Sequence, residues 1–199
     1  MMPLLLPFVA CVPSAIDAPV DTSTDTAPVE DTDADADALA ADDARVRALT
    51  GLPEGDQPCA APQLVRVLEA VDGDTFHALP EGASRYFSVR IIGVDTPEIA
   101  DDDPAECYGD DAFAYTAGAL DGRLVWLTFD AECLDVYDRT LAYVFRDSDE
   151  AGFFNRSLLR GGYGTTLTIE PNDTYADLFA ADSRAARDED AGLWAACDR

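Results

Sequence analysis

The sequence predicts one α+β domain behind a long acidic segment, and three observations carry that prediction. The chain has 199 residues, 48% of them hydrophobic, enough for one well-filled core and a tail but hardly for two domains. Segments rich in β-branched and aromatic residues gather at 64–79, 86–94, 124–129 and 140–145. Segments of helical periodicity fall between and after them, at 104–120, 154–160 and 175–187.

Residues 1–11, MMPLLLPFVAC, form a short apolar run whose end, Phe8-Val9-Ala10-Cys11, resembles the lipobox after which bacterial lipoproteins are cleaved and lipidated on cysteine. The run is too short to cross a bilayer as a helix, so a lipoprotein-type signal with a lipid on Cys11 is the expectation, and with it an exported protein. The alternative is an ordinary N-terminal segment with a chance cysteine, since no basic residue precedes the apolar run. From residue 12 to about 56 the chain is mostly Asp, Thr, Ala, Pro and Ser and has no aromatic side chain. Such a segment buries too little to offset its ordering entropy and reads as a solvated, self-repelling linker, with a helical turn or two between Leu39 and Leu52. The folded domain is then expected over 57–199.

Within it, Val65 and Val67 alternate into Val71, an Asp-Gly-Asp turn and a second short strand from Thr75 to Leu79, a hairpin whose turn presents carboxylates. The strand Tyr86 to Val94 runs into Asp95-Thr96-Pro97-Glu98, where the proline ends it. Pro104 to Leu120 has the apolar spacing of a helix, Leu124 to Phe129 and Thr140 to Phe145 read as strands, and Phe154 to Arg160 and Tyr175 to Arg187 as helices. Asn172, Asp173 and Thr174 are candidate N-caps for the last.

Charge constrains the function classes. The 40 acidic residues face 13 basic ones, all arginine, and 28 of the acidic residues with 11 of the arginines lie in 57–199. A general positive field for binding polyanions is excluded, so any contact with nucleic acid must come from a few placed arginines and a bound cation. Four cysteines in the domain, Cys59, Cys107, Cys133 and Cys197, suggest two disulfides with three possible connectivities. Cys107 with Cys133 and Cys59 with Cys197 is the expected pairing. Zinc is disfavoured, because no CxxC spacing occurs and His77 is the only histidine.

Asp74 and Asp95 fall beside turns at the ends of separate strands, where they could converge on one hard cation together with a backbone carbonyl and water. Val71-Asp72-Gly73-Asp74-Thr75, then Arg90-x-x-Gly93-Val94-Asp95-Thr96-Pro97-Glu98, then Tyr137-Asp138-Arg139-x-Leu141-Ala142-Tyr143-Val144 resemble the thermonuclease (staphylococcal nuclease-like) family in order and spacing. Asn155 to Gly162 and Gly192-Leu193-Trp194 extend the likeness, which covers about residues 63–196. The resemblance implies a five-stranded OB-type β-barrel with about three α-helices, and a Ca²⁺-dependent nuclease that hydrolyses phosphodiester bonds of single-stranded or loosely paired DNA or RNA as a monomer.

By the same resemblance Asp74, Asp95 and the carbonyl of Thr96 are Ca²⁺ ligands, while Arg90, Glu98 and Arg139 surround the scissile phosphate. Glu98 is the candidate base or water orienter, and the two guanidinium forks suit bidentate phosphate contact. Taken singly, each has a plainer role: Asp72 and Asp74 as a hairpin turn, Glu98 as a loop charge, Arg139 as half of an ion pair with Asp135 or Asp138. Asp72 is expected to act from behind the site, and His77 to be a strand side chain. Two departures bear on substrate. Leu167 and Ile169 stand where the family places tyrosines, with Tyr137 kept and Tyr163 nearby, and residues 99–106 are acidic where lysines are usual. A binding or scaffold module of the same fold on the cell surface is therefore the second hypothesis.

Overall fold

The computed structural model describes residues 32–100 and 104–197. In chain order the elements are α1 (Thr32–Arg47), β1 (Gln63–Ala70), β2 (Thr75–Pro80), β3 (Phe87–Ile91), β4 (Gly93–Asp95), α2 (Gly109–Leu120), β5 (Leu124–Thr128), β6 (Thr140–Phe145), α3 (Phe154–Arg160), β7 (Thr165–Leu167), α4 (Ala176–Asp188) and α5 (Leu193–Ala196). Five strands close into a barrel in the order β1-β2-β3-β6-β5, antiparallel except for the parallel pair β3 and β6. The short strands β4 and β7 pair beside it. The α+β class and the five-stranded barrel are as expected.

Alternation fills the barrel. Val65 and Val67 of β1, Phe76 and Ala78 of β2 and Val89 and Ile91 of β3 are all at most 1% exposed, while their neighbours along each strand are largely less buried. Strand β6 is buried on both faces, because Ala142 and Val144 alternate with Tyr143 and Phe145. The two aromatics pack edge-on or stacked against Phe153, and Tyr143 also meets Tyr175 and Phe179, which joins α3 and α4 to the barrel. Side chains of this size contribute about 1.5–3 kcal/mol each on full burial.

The expected linker over 12–56 is corrected in its second half. Residues 32–47 form α1, and Val46 is fully buried while its carbonyl accepts Trp126 Nε1–H at 2.9 Å. Arg66 of β1 pairs with Asp43 at 2.5 Å, Arg123 with Asp42 at 3.4 Å, and Arg45 reaches Asp147. The following strap lies along β5, where Gly55 N–H donates to Phe129 O at 2.8 Å and Thr128 Oγ1 to Pro53 O at 2.8 Å. Asp43 and Asp42 of α1 are thus counter-charges for Arg66 and Arg123. The segment's remaining residues and Cys11 lie outside the described residues.

Three local expectations also change. The strand read over 86–94 divides at Ile92, whose N–H donates to Ala142 O at 3.0 Å, so that β3 stays in the barrel and β4 leaves it to pair with β7. Helix α2 begins at Gly109 and not at Pro104, because Tyr108 adopts φ 75° and Glu106 pairs by its backbone with Glu98. Tyr175 occupies the N-cap of α4 without a side-chain cap, since Asn172 and Thr174 bond Glu132 and Asp130 instead. The disulfides are Cys59–Cys133 and Cys107–Cys197, so the expected pairing is wrong. Cys59 N–H donates to Asp130 O at 2.7 Å, which lays the strap beside the segment carrying Cys133 and leaves Cys107 to the C-terminus.

Candidate active site

The hairpin turn between β1 and β2 sets the first carboxylate. Val71 and Asp72 both donate backbone N–H to Thr75 O, and Asp72 Oδ1 accepts Asp74 N–H at 2.9 Å. Thr116 of α2 donates its hydroxyl to Gly73 O at 2.7 Å. A side chain at residue 73 would stand 2.6 Å from Thr96 Oγ1, so only glycine lets the turn and the end of β4 come this close. Asp74 is consequently 4% exposed, and its Oδ2 accepts both the N–H (2.8 Å) and the hydroxyl (3.1 Å) of Thr96.

Arg90 stands opposite Thr75 in the β2–β3 register, which aims it at the same point. Its Nη1 is paired with Asp74 Oδ1, and its Nη2 donates to Asp95 Oδ1 at 2.9 Å. Burial pulls this guanidinium below its ordinary pKa, against the charges of Asp95 and Asp72. Asp74 from the hairpin turn and Arg90, Asp95 and Thr96 from the segment of β3 and β4 are thereby one bonded group.

The fit to a divalent cation can be judged from that group. Asp74 and Asp95 meet one positive charge between them, the donors are hard oxygens, and no sulfur or imidazole takes part. Among the described residues no cluster of three or more His, Cys, Asp or Glu side chains with metal-binding geometry occurs. The two carboxylates therefore suit a hard ion that takes most of its ligands from carbonyl oxygen and solvent.

Glu98 is exposed and lies in the field of this group. Its pKa is raised by partial burial and then by the charges of Asp72, Asp95 and Glu106, with Arg90 opposing. Burial likewise raises Asp72, against the Thr75 N–H and the charges of Arg90 and Arg139. Arg139 sits just before β6 and feels the same centre, but its Nε is engaged by Asp135 at 2.7 Å. The ion pair read as its plainer role thus exists. It is made through Nε, and among the described residues no partner is found for the two terminal nitrogens.

Arg90 and Arg139 line a cleft of about 480 Å³ together with Leu134, Val136, Tyr137, Leu167 and Ile169. Val136 is 90% exposed, Tyr137 77% and Ile169 64%, an apolar rim beside the charged centre. Arg139 lies 5.4 Å from the Tyr137 ring centroid. Tyr163 is not part of this cleft: it stacks on Tyr115 with centroids 4.0 Å apart. His77 is a strand side chain beside Glu69 and Tyr86, as expected.

Sequence reasoning named Asp135 as one of two possible ion-pair partners of Arg139 and missed two supporting residues, Thr116 and Glu106. Asp135 fixes Arg139 by accepting both its backbone N–H (2.9 Å) and its Nε, and the Asp-x-x-x-Arg spacing was the available signal. Thr116 and Glu106, which hold the Asp-Gly-Asp turn and the backbone of Glu98, have no local signature.

Comparison with known proteins follows this geometry. Residues 88–196 match a family model described as staphylococcal nuclease homologue, a span that includes Arg90, Asp95, Glu98 and Arg139 and begins after Asp74. A thermonuclease of Staphylococcus intermedius is 34% identical over 129 residues, covering 64% of this chain and 74% of that protein. A thermonuclease of Staphylococcus hyicus is 31% identical over 133 residues, with 66% and 76% covered. An uncharacterised protein of Methanocaldococcus jannaschii is 32% identical over 149 residues, with 65% and 70% covered.

Proposed function

Because this chain belongs to the staphylococcal nuclease homologue family, we propose that it is a nuclease, hydrolysing phosphodiester bonds of DNA or RNA with Asp74, Arg90, Asp95, Thr96, Glu98 and Arg139 as its site. The observation that carries this reading is the bonding of Asp74, Arg90, Asp95 and Thr96 into one group beside a cleft whose wall also holds Arg139. A binding module has no need of that combination.

In this mechanism Glu98 orients a water and takes its proton as the oxygen attacks phosphorus. Partial burial and the charges of Asp72, Asp95 and Glu106 raise its pKa, the direction that makes a carboxylate a stronger base. Arg90 and Arg139 hold the non-bridging oxygens, where charge accumulates as the P–O ester bond breaks and the leaving alkoxide takes a proton from solvent. Asp74, Asp95 and the carbonyl of Thr96 would hold Ca²⁺, which when bound supplies Lewis-acid polarisation of the phosphate. Arg90, which in this structure is held by Asp74 and Asp95, would present the same fork to a substrate phosphate.

The acidic surface confines phosphate contact to this site, so affinity rests on a few placed arginines and a bound cation and is low. Leu167 and Ile169 offer a base contact area but no ring stacking, which leaves Tyr137 as the aromatic platform of the cleft. Two disulfides support an oxidising compartment, hence export, with a lipid on Cys11 as the proposed anchor. No helix among the described residues is long and apolar enough to cross a membrane.

The test is cleavage of single-stranded DNA and of RNA by the full chain at low salt, with Ca²⁺ and with chelator, beside an Asp74→Ala variant. Ca²⁺-dependent cleavage lost in the variant supports the proposal. Folded, Ca²⁺-bound protein that cuts neither polymer turns the reading to a binding or scaffold module.

A further inference from the structure

We infer that the Cys107–Cys197 disulfide is a positioning element for Glu98, tying the return of the Glu98 loop to the helix that also anchors the loop's start. The inference rests on the proposed role of Glu98, and its structural half stands on geometry alone.

The start of the loop is fixed by α3. Asn155, fully buried, donates from Nδ2 to Ile92 O at 2.8 Å and accepts Val144 N–H at 2.9 Å through Oδ1. This sets the point where β4 leaves the barrel to deliver Asp95, Thr96 and Glu98. The return of the loop lies against Glu98 itself. Glu106 N–H donates to Glu98 O at 2.9 Å, and Glu98 N–H donates back to Glu106 Oε2 at 3.2 Å. A Cβ on Gly109 would come within 2.2 Å of Glu98 O, so helix α2 begins in direct contact with this backbone.

Next to Glu106, Cys107 is bonded to Cys197, which follows α5. Helix α5 hangs on the end of α3, where Leu193 N–H donates to Gly162 O at 2.9 Å and Gly162 N–H to Leu159 O at 3.1 Å. Leu158 and Leu159 are fully buried under α3. Both ends of the Glu98 loop are therefore referred to one helix packed in the core, the first through Asn155 and the second through the disulfide.

Electrostatics explains why a covalent tie is needed there. Glu98 and Glu106 meet as two carboxylates, and the charges of Asp72 and Asp95 also act on Glu98. Mutual repulsion opposes the approach of Glu106 to Glu98, and the hydrogen bonds joining them are at the surface. The other disulfide, Cys59–Cys133, joins the strap to the segment after β5 and touches none of these groups, which makes it the internal control.

The experiment compares Cys107→Ser/Cys197→Ser with Cys59→Ser/Cys133→Ser in the full chain, by amide exchange and by kinetics on single-stranded DNA. In the first variant, exchange at Glu98, Glu106 and Gly109 should quicken while Val89 and Val144 in the barrel stay protected. Its kcat should fall about 10- to 100-fold with KM changed far less, the mark of a misplaced reacting group and not of lost substrate binding. The control variant should lose stability while exchange at Glu98, Glu106 and Gly109 stays as in the wild type. Should the serine pair not fold, Cys107→Ala/Cys197→Ala gives the same readings. Unchanged exchange at Glu98 and Glu106 without the Cys107–Cys197 bond, or equally quickened exchange there in both variants, overturns the inference. Wild-type kcat in Glu98→Gln, with the exchange effect intact, overturns instead the catalytic reading on which its functional half depends.

Discussion

Arg90 is paired directly with Asp74, a carboxylate that is almost fully buried and that also anchors Thr96. The pairing means that a candidate phosphate-binding group and a candidate cation ligand neutralise each other before either meets its ligand. Arg90→Gln should therefore leave Asp74 as an uncompensated buried charge and destabilise the metal-free protein by about 3–5 kcal/mol. Added Ca²⁺ should then raise the Tm of this variant more than that of the wild type, because the ion replaces the missing guanidinium. Thermal unfolding with Ca²⁺ and with chelator checks it; equal Ca²⁺-induced shifts in both proteins would show that Arg90 and the cation do not share a place.

Arg139 offers the opposite case, since its Nε is committed to Asp135 and only its outer edge faces the cleft. Arg139→Ala should lower kcat/KM by orders of magnitude with near-native stability, because the side chain is a third exposed and outside the core. Arg139→Lys should not restore the rate, for an ammonium cannot bond Asp135 through one edge and a phosphate through the other. Steady-state kinetics with near-ultraviolet circular dichroism decides between a lost site and a lost fold.

The aliphatic rim of the cleft can be converted to an aromatic one. Leu167 and Ile169 are 37% and 64% exposed where they line the cleft, so tyrosine rings there can extend into it. Leu167→Tyr with Ile169→Tyr should tighten binding of a single-stranded oligonucleotide by about 1–3 kcal/mol for each base that gains a ring. Fluorescence anisotropy with and without Arg139 in place reads this gain; no change in affinity would mean that the bases do not lie in this cleft.

The parts of the site that were legible in the sequence are those carried by short stretches of chain. Asp72-Gly73-Asp74 and Asp95-Thr96-Pro97-Glu98 each fix a turn and its carboxylates within a few residues, and the barrel strands announce themselves through alternation such as Val65, Val67 and Phe76, Ala78. What stayed hidden depends on which segments meet. The cysteine pairing follows from the strap running beside β5, and no spacing rule encodes that route. Helix α1 was hidden for a related reason. Its composition is that of a solvated tether, and the charges that hold it, Arg66 and Arg123, belong to the barrel.

That helix gives the pH dependence with the clearest sign. Burial raises the Asp42 carboxyl, but the hydrogen bond from Arg45 and the charges of Arg45, Arg146 and Arg123 outweigh it and hold its pKa below the ordinary value. A carboxyl lowered on folding stabilises the folded form above its unfolded pKa, and that stability is lost as pH falls through the lowered value. Helix α1 should consequently undock at acid pH, below the usual carboxylate range, before the barrel itself unfolds. Trp126 reports it, since its indole N–H is bonded to Val46 O, and a Trp194→Phe background isolates its emission. Asp42→Asn should weaken docking at neutral pH and flatten the acid step, whereas Val46→Ala should cost about 1–3 kcal/mol at every pH, the apolar contact being independent of charge. An acid step that persists unchanged in Asp42→Asn would assign it to other carboxylates and remove Asp42 from the docking of α1.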